Sequence, residues 1–116
     1  SGGFLHISDN YGLDKYIRIQ LKKVFPKIEL KEIPFSHPIF NQTFTFNKGL
    51  PKIHEHNKKV PQGFGLFFKG RLVCFYDYES DLSDGWEDST VHNNPMETRI
   101  KALQMGSNII EYAFRN

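Results

Sequence analysis

Six carboxylates stand within twelve residues in Asp77-Tyr-Glu-Ser-Asp-Leu-Ser-Asp-Gly-Trp-Glu-Asp88, with no Lys or Arg among them. Trp86, the only tryptophan of the chain, lies near the end of the run. Such a density of acids suits a cage for a hard cation, an acid/base pair whose pKa values split, or a solvated acidic loop. A calcium loop of EF-hand type needs oxygen ligands at alternate positions, Gly at the sixth and Glu at the twelfth. Counted from Asp77, acids fall at the first, third and fifth places, but Leu82 is sixth, Gly85 ninth and Asp88 twelfth. A strand pattern precedes the run where an EF-hand needs a helix. The EF-hand reading therefore fails, while a looser cation site stays open.

Two further groups could do chemistry. Asp9 follows a short strand pattern, and Asp77 and Glu79 follow a later one. Ligands of open α/β sheets bind beyond the carboxyl ends of parallel strands. If these strand ends are neighbours, Asp9, Asp77 and Glu79 converge as candidate catalytic or cation-binding carboxylates. The alternative for Asp9 and Asn10 is capping of the following helix. His54 and His56 sit at i, i+2 and would share a strand face as candidate ligands for zinc or copper, with His37 or His92 as a third. Against this, no His-Glu-x-x-His helix and no Cys/His ligand spacing occurs. There is no nucleophile elbow, no phosphate-binding Gly-Lys-Ser/Thr loop and no complete dinucleotide fingerprint. No cofactor is predicted; a divalent metal is the alternative.

The elements that must position these groups are legible in outline. Residues 3–8 read as a strand with Leu5 and Ile7 on one face and Phe4, His6 and Ser8 on the other. His6, in an apolar strand, reads as a hydrogen-bonded core or shelf residue. Asp9 to Gly12 is a turn. Leu13, Ile17, Leu21 and Val24 recur at helical spacing until Pro26. Residues 28–33 alternate apolar and charged as a second strand, so a βαβ unit with parallel pairing is expected. Residues 34–62 carry four prolines and few aliphatics, a long excursion. Two apolar runs around Lys69-Gly70 predict a hairpin. Asn94-Pro-Met-Glu97 has the form of a capping box opening a long last helix. Met96, Ile100, Leu103, Ile110 and Phe114 lie near one face of it, and Gly106 marks close packing or a break. The sum is an α/β domain with a mixed sheet.

The 116 residues suffice for one domain, and 15% aromatic content suits a packed core. A net charge of +2 gives no support to nucleic-acid binding. Residues 1–71 hold twelve Lys/Arg against five Asp/Glu, and residues 72–116 hold three against eight. Halves of opposite sign attract each other or face different ways. No apolar run reaches the ~18 residues of a membrane span. Cys74, the single cysteine, lies in an apolar run and reads as a buried thiol.

Taken together, "GGFLHISDNYG" at 2–12, "PKIHEHN" at 51–57, "PQGFGLF" at 61–67, "GRLVCFYDYESDLSDGWED" at 70–88 and "KALQMGSNII" at 101–110 resemble a bacterial domain-of-unknown-function family, number 4159 of its series, in the form similar to those of Bacteroidetes. The resemblance spans essentially the whole chain and is to the C-terminal half of that family. It implies a Rossmann/flavodoxin-like three-layer sandwich related to class I glutamine amidotransferases, with a βαβ unit and a C-terminal hairpin. It also implies a fragment of a larger domain and a periplasmic or exported location. The family supplies no reaction. The amidotransferase pattern of an elbow Cys with paired His and Glu has no matching positions here, so glutaminase activity is not expected.

Two functions compete. One is a non-catalytic binding or interaction module of the bacterial envelope, contacting a carbohydrate or peptide through Asn10, Tyr11, Trp86, His92 and the acidic loop. The other is a metal-assisted hydrolase using Asp9, His54, His56, Asp77 and Glu79. A structural role overlaps with the first, with Trp86 and the acids latching the excursion. A fragment exposes a sheet edge, so a homodimer is expected if the 116 residues exist alone.

Overall fold

The computed structural model describes residues 3–8, 12–53, 59–86 and 95–115. Four strands form one mixed sheet in the order β1-β4-β3-β2: β1 (Leu5–Ser8), β2 (Lys31–Glu32), β3 (Gln62–Phe68) and β4 (Arg71–Tyr78). Helix α1 (Asp14–Val24) follows β1, and helix α2 (Met96–Arg115) ends the chain. Short 3-10 turns occupy Pro38–Phe40 and Leu82–Trp86.

The hairpin forms as its turn residues require. Lys69 and Gly70 both adopt positive φ, 51° and 78°, and connect two antiparallel strands. Its strands are the longest apolar runs and take the central positions. Beside them the expected parallel pairing of the first two strands fails. β1 and β2 run in the same direction, but β4 and β3 lie between them. β2 shrinks to two exposed residues because its alternating Lys and Glu suit a solvated edge, not a centre.

Side chains alternate across the sheet into two cores. One gathers Leu21, Leu66 and Cys74 with Ile7 and Ile17 under α1. The other gathers Phe75, Leu72, Ile33, Ile39, Phe40 and the inner face of α2. In β4 the register jumps so that Val73 has no partner on β3, a bulge that lets Leu72 and Cys74 enter opposite cores. Leu13 stands at the N-cap of helix α1 and offers it no side-chain cap. Asp14 in its first turn accepts from Arg18 Nε at 2.9 Å and from the Tyr76 hydroxyl at 2.7 Å, tying the helix start to β4.

Helix α2 corrects a second expectation. It runs unbroken through Gly106, and its buried residues are Ala102, Met105, Gly106, Asn108, Ile109 and Tyr112. Met96, Ile100, Leu103, Ile110 and Phe114 are all exposed, Phe114 to 88%. The reason is close approach. A Cβ on Gly106 would lie 3.0–3.1 Å from the Trp86 ring, and one on Gly85 would enter the van der Waals radius of Ala102 Cβ. Where it meets Gly85 and Trp86 the inner stripe must be small, at Ala102 and Gly106, and it also carries a polar anchor. Asn108 Nδ2 donates to Phe44 O at 2.7 Å and its Oδ1 accepts from Phe44 N at 3.2 Å, pinning the excursion to the helix.

Gly85→Ala is expected to destabilise the chain by about 1–3 kcal/mol, because neither Ala102 nor the helix backbone can yield. Gly3→Ala, with nothing within 4 Å of the added methyl, should be near neutral. Urea unfolding midpoints of the two variants check this.

Candidate functional site

The carboxyl ends of β1 and β4 are neighbours, with Ser8 opposite Asp77. Three side chains meet there. His6 and Ser8, two residues apart on a strand, share a face with Asp77 across the parallel register. His6 Nε2 lies 2.6 Å from Asp77 Oδ2, and Ser8 Oγ donates to Asp77 Oδ1 at 3.0 Å. The Leu82 amide donates to the same Oδ1 at 3.3 Å, and the Ser83 amide donates to Ser8 Oγ at 3.3 Å. The Asp77 side chain is wholly enclosed, while that of His6 keeps 17% of its surface.

Burial pushes the Asp77 carboxyl above its ordinary value, against the opposing pull of His6, the Leu82 amide and Ser8. The imidazole is stacked on Phe75 at 5.8 Å and tilted against Trp86 at 5.5 Å. Trp86 Nε1 donates to Ala102 O at 2.7 Å. His6 and Trp86 thus line an open hollow of about 570 Å³ together with Leu103, Gly106 and Ile110. The arrangement is an aspartate-oriented histidine beneath an apolar recess.

The other carboxylates go elsewhere. The backbone leaves the strand at Glu79 (φ 62°) and again at Asp81 (φ 54°). Glu79 pairs with Lys52 Nζ at 3.4 Å, both side chains nearly buried. The Ser80 hydroxyl donates to Pro51 O, and Ile53 N donates to Ser80 O at 2.9 Å. This half of the acidic run latches the 50–53 segment. Among the described residues, Asp77 is held by His6, Ser8 and the Leu82 amide, and Glu79 by Lys52. Asp9, Asn10, Tyr11, His54, His56, His92, Glu87, Asp88 and Asn94 lie outside the described residues.

His37 uses Nδ1 to accept from Ile39 N at 3.1 Å, capping the first 3-10 turn, and burial lowers its pKa. Among the described residues, no three His, Cys, Asp or Glu stand close enough to hold a metal ion. Cys74 is buried in mid-strand, and burial pushes its thiol up to about 11, so it carries no thiolate near neutral pH. Among the described residues, no helix is long and apolar enough to cross a membrane.

Residues 1–114 match the family model "Domain of unknown function (DUF4159)". The chain belongs to this family. No curated protein matches the chain. Within this DUF4159 domain, the sequence pattern puts Asp9, Asp77 and Glu79 at the working edge and Trp86 among the ligand contacts, but it does not reveal that His6 and Ser8 engage Asp77 while Glu79 turns to Lys52. The available signal was two polar residues on one face of an apolar strand.

A buried acid with a raised pKa is favoured in its protonated form in the folded state. The linked stability is complete below the unfolded-state pKa and is lost as pH rises through the raised folded-state value. Asp77→Asn removes this dependence. The stability of the wild type relative to Asp77→Asn should therefore fall as pH rises from below the ordinary carboxylate value through the raised folded-state value. Urea titrations of both proteins at several pH values measure it; a constant difference contradicts the burial account.

Proposed function

We propose that the chain is a non-catalytic binding and interaction module of the bacterial envelope that docks a polypeptide along the β1 flank of its sandwich. One observation carries this: at β1 all three layers end in apolar surface. Among the described residues β1 pairs on one side only, and its Leu5 is exposed. On one side stand the exposed Tyr16 and Val24 of α1, and on the other Leu103 and Ile110 of α2. Three hollows border β1: one beside Phe4 and Val73, one beside Ile7 and Tyr16, and the one over His6.

A free strand edge between two apolar helix stripes is a surface that soluble domains seldom leave uncovered. A partner that adds a strand to β1 and apolar side chains to both layers satisfies main chain and side chains together. That chemistry favours a polypeptide over a carbohydrate. The non-catalytic reading is supported by the enclosure of Asp77 and the inert burial of Cys74. The envelope location and the relation to class I glutamine amidotransferases rest on the family resemblance.

At high dilution the folded chain should bind anilinonaphthalene sulfonate with a clear fluorescence enhancement. Leu5→Lys combined with Ile110→Lys should abolish most of it while leaving the unfolding free energy within about 0.5 kcal/mol per site. A native chain that does not bind the dye contradicts the reading.

A further inference from the structure

The exposed stripe of α2 is spaced for a helix partner. Met96, Ile100, Leu103, Ser107, Ile110 and Phe114 follow one another by four and three residues in turn, the 3.5-residue repeat of a coiled-coil seam. The one polar member, Ser107, donates its hydroxyl to Glu111 Oε1 at 3.3 Å, so it meets its need for a partner within its own helix. Charges along one flank of the seam form two i, i+4 pairs. Glu97 and Lys101 are 3.6 Å apart, and Glu111 and Arg115 are 3.7 Å apart.

Read from the N-terminus, the signs run minus, plus, minus, plus. Turned end for end about position 106, Glu97 faces Arg115 of the copy and Lys101 faces Glu111 of the copy. Every facing pair is then of opposite sign, and each occurs twice by symmetry. Leu103 comes within one residue of the level of Ile110 of the copy in the same arrangement. This places apolar side chains over the mouth of the recess at His6.

We propose that the occupant of the α2 half of the flank is a second copy of this chain, packed α2 against α2, antiparallel about a two-fold axis near Gly106. This rests on the interaction reading above and names its partner. An isologous contact needs a self-complementary patch, and the seam and its charges meet that condition end for end.

Light scattering of the 116-residue chain over a range of concentrations tests it. A mass of twice 13.5 kDa is expected at the upper end, falling to one copy in Leu103→Glu and in Ile110→Glu. Glu97→Lys with Glu111→Lys makes one flank wholly positive and should weaken self-association roughly tenfold. Lys101→Glu with Arg115→Glu makes it wholly negative, with the same effect. Mixing the two variants should restore a dimer. A concentration-independent monomer, a dimer indifferent to Ile110→Glu, or no recovery on mixing would overturn the proposal. If such a monomer still binds the dye at the β1 flank, only the second copy is refuted as occupant. If it binds no dye, the interaction reading falls with it.

Discussion

The enclosed carboxylate of Asp77 is the interaction on which the rest of the structure depends. It sits at the seam where β1 meets β4 and is touched from both sides. His6 and Ser8 reach it from β1, and the Leu82 amide reaches it from the turn that follows β4. Burying a charged group is costly unless it is paired and hydrogen-bonded, and this one has an imidazole, a hydroxyl and an amide. The register of the parallel pair, the path of the acidic run and the seat of the Leu82–Trp86 turn are therefore coupled. Trp86 in turn meets α2 at Gly106 and donates to Ala102 O, so the last helix inherits its position from the same seam.

This coupling divides the acidic run by role. Asp77 organises the sheet edge, whereas Glu79 and Ser80 hold the excursion through Lys52 and Pro51. The left-handed backbone at Glu79 and Asp81 separates these tasks. Without it, residues two apart on a continuing strand would share a face. The recess above His6 is left apolar, with its polar chemistry hidden beneath. That supports docking of a polypeptide face more than capture of a charged small molecule.

Much of this was legible from local pattern. The Lys69-Gly70 hairpin, the first strand and helix, the long last helix and the buried Cys74 all follow from short-range rules of turn chemistry and periodicity. What escaped depends on partners distant in sequence. The pairing of β1 with β4 turns on which strands compete best for the centre, and alternating Lys and Glu in β2 lost to the hairpin. The engagement of Asp77 by His6 and Ser8 needs a register across 69 to 71 residues of chain. The outward face of α2 was misleading because hydrophobicity marks burial only when the partner is present. The true inner stripe mixes Met105, Ile109 and Tyr112 with Ala102, Gly106 and Asn108, and the last three do not look like a core until Trp86 and Phe44 are set against them.

The most direct test of this coupling is a nuclear magnetic resonance titration that follows the side-chain carboxyl carbon of Asp77 together with the Leu82 amide. The account predicts that the carboxyl titrates above the ordinary value of 3.8. It also predicts that the Leu82 amide shift moves with the same midpoint, because that amide donates to the titrating oxygen. A carboxyl titrating at or below its ordinary value, or a Leu82 amide indifferent to it, would contradict the claim that a buried Asp77 anchors the seam.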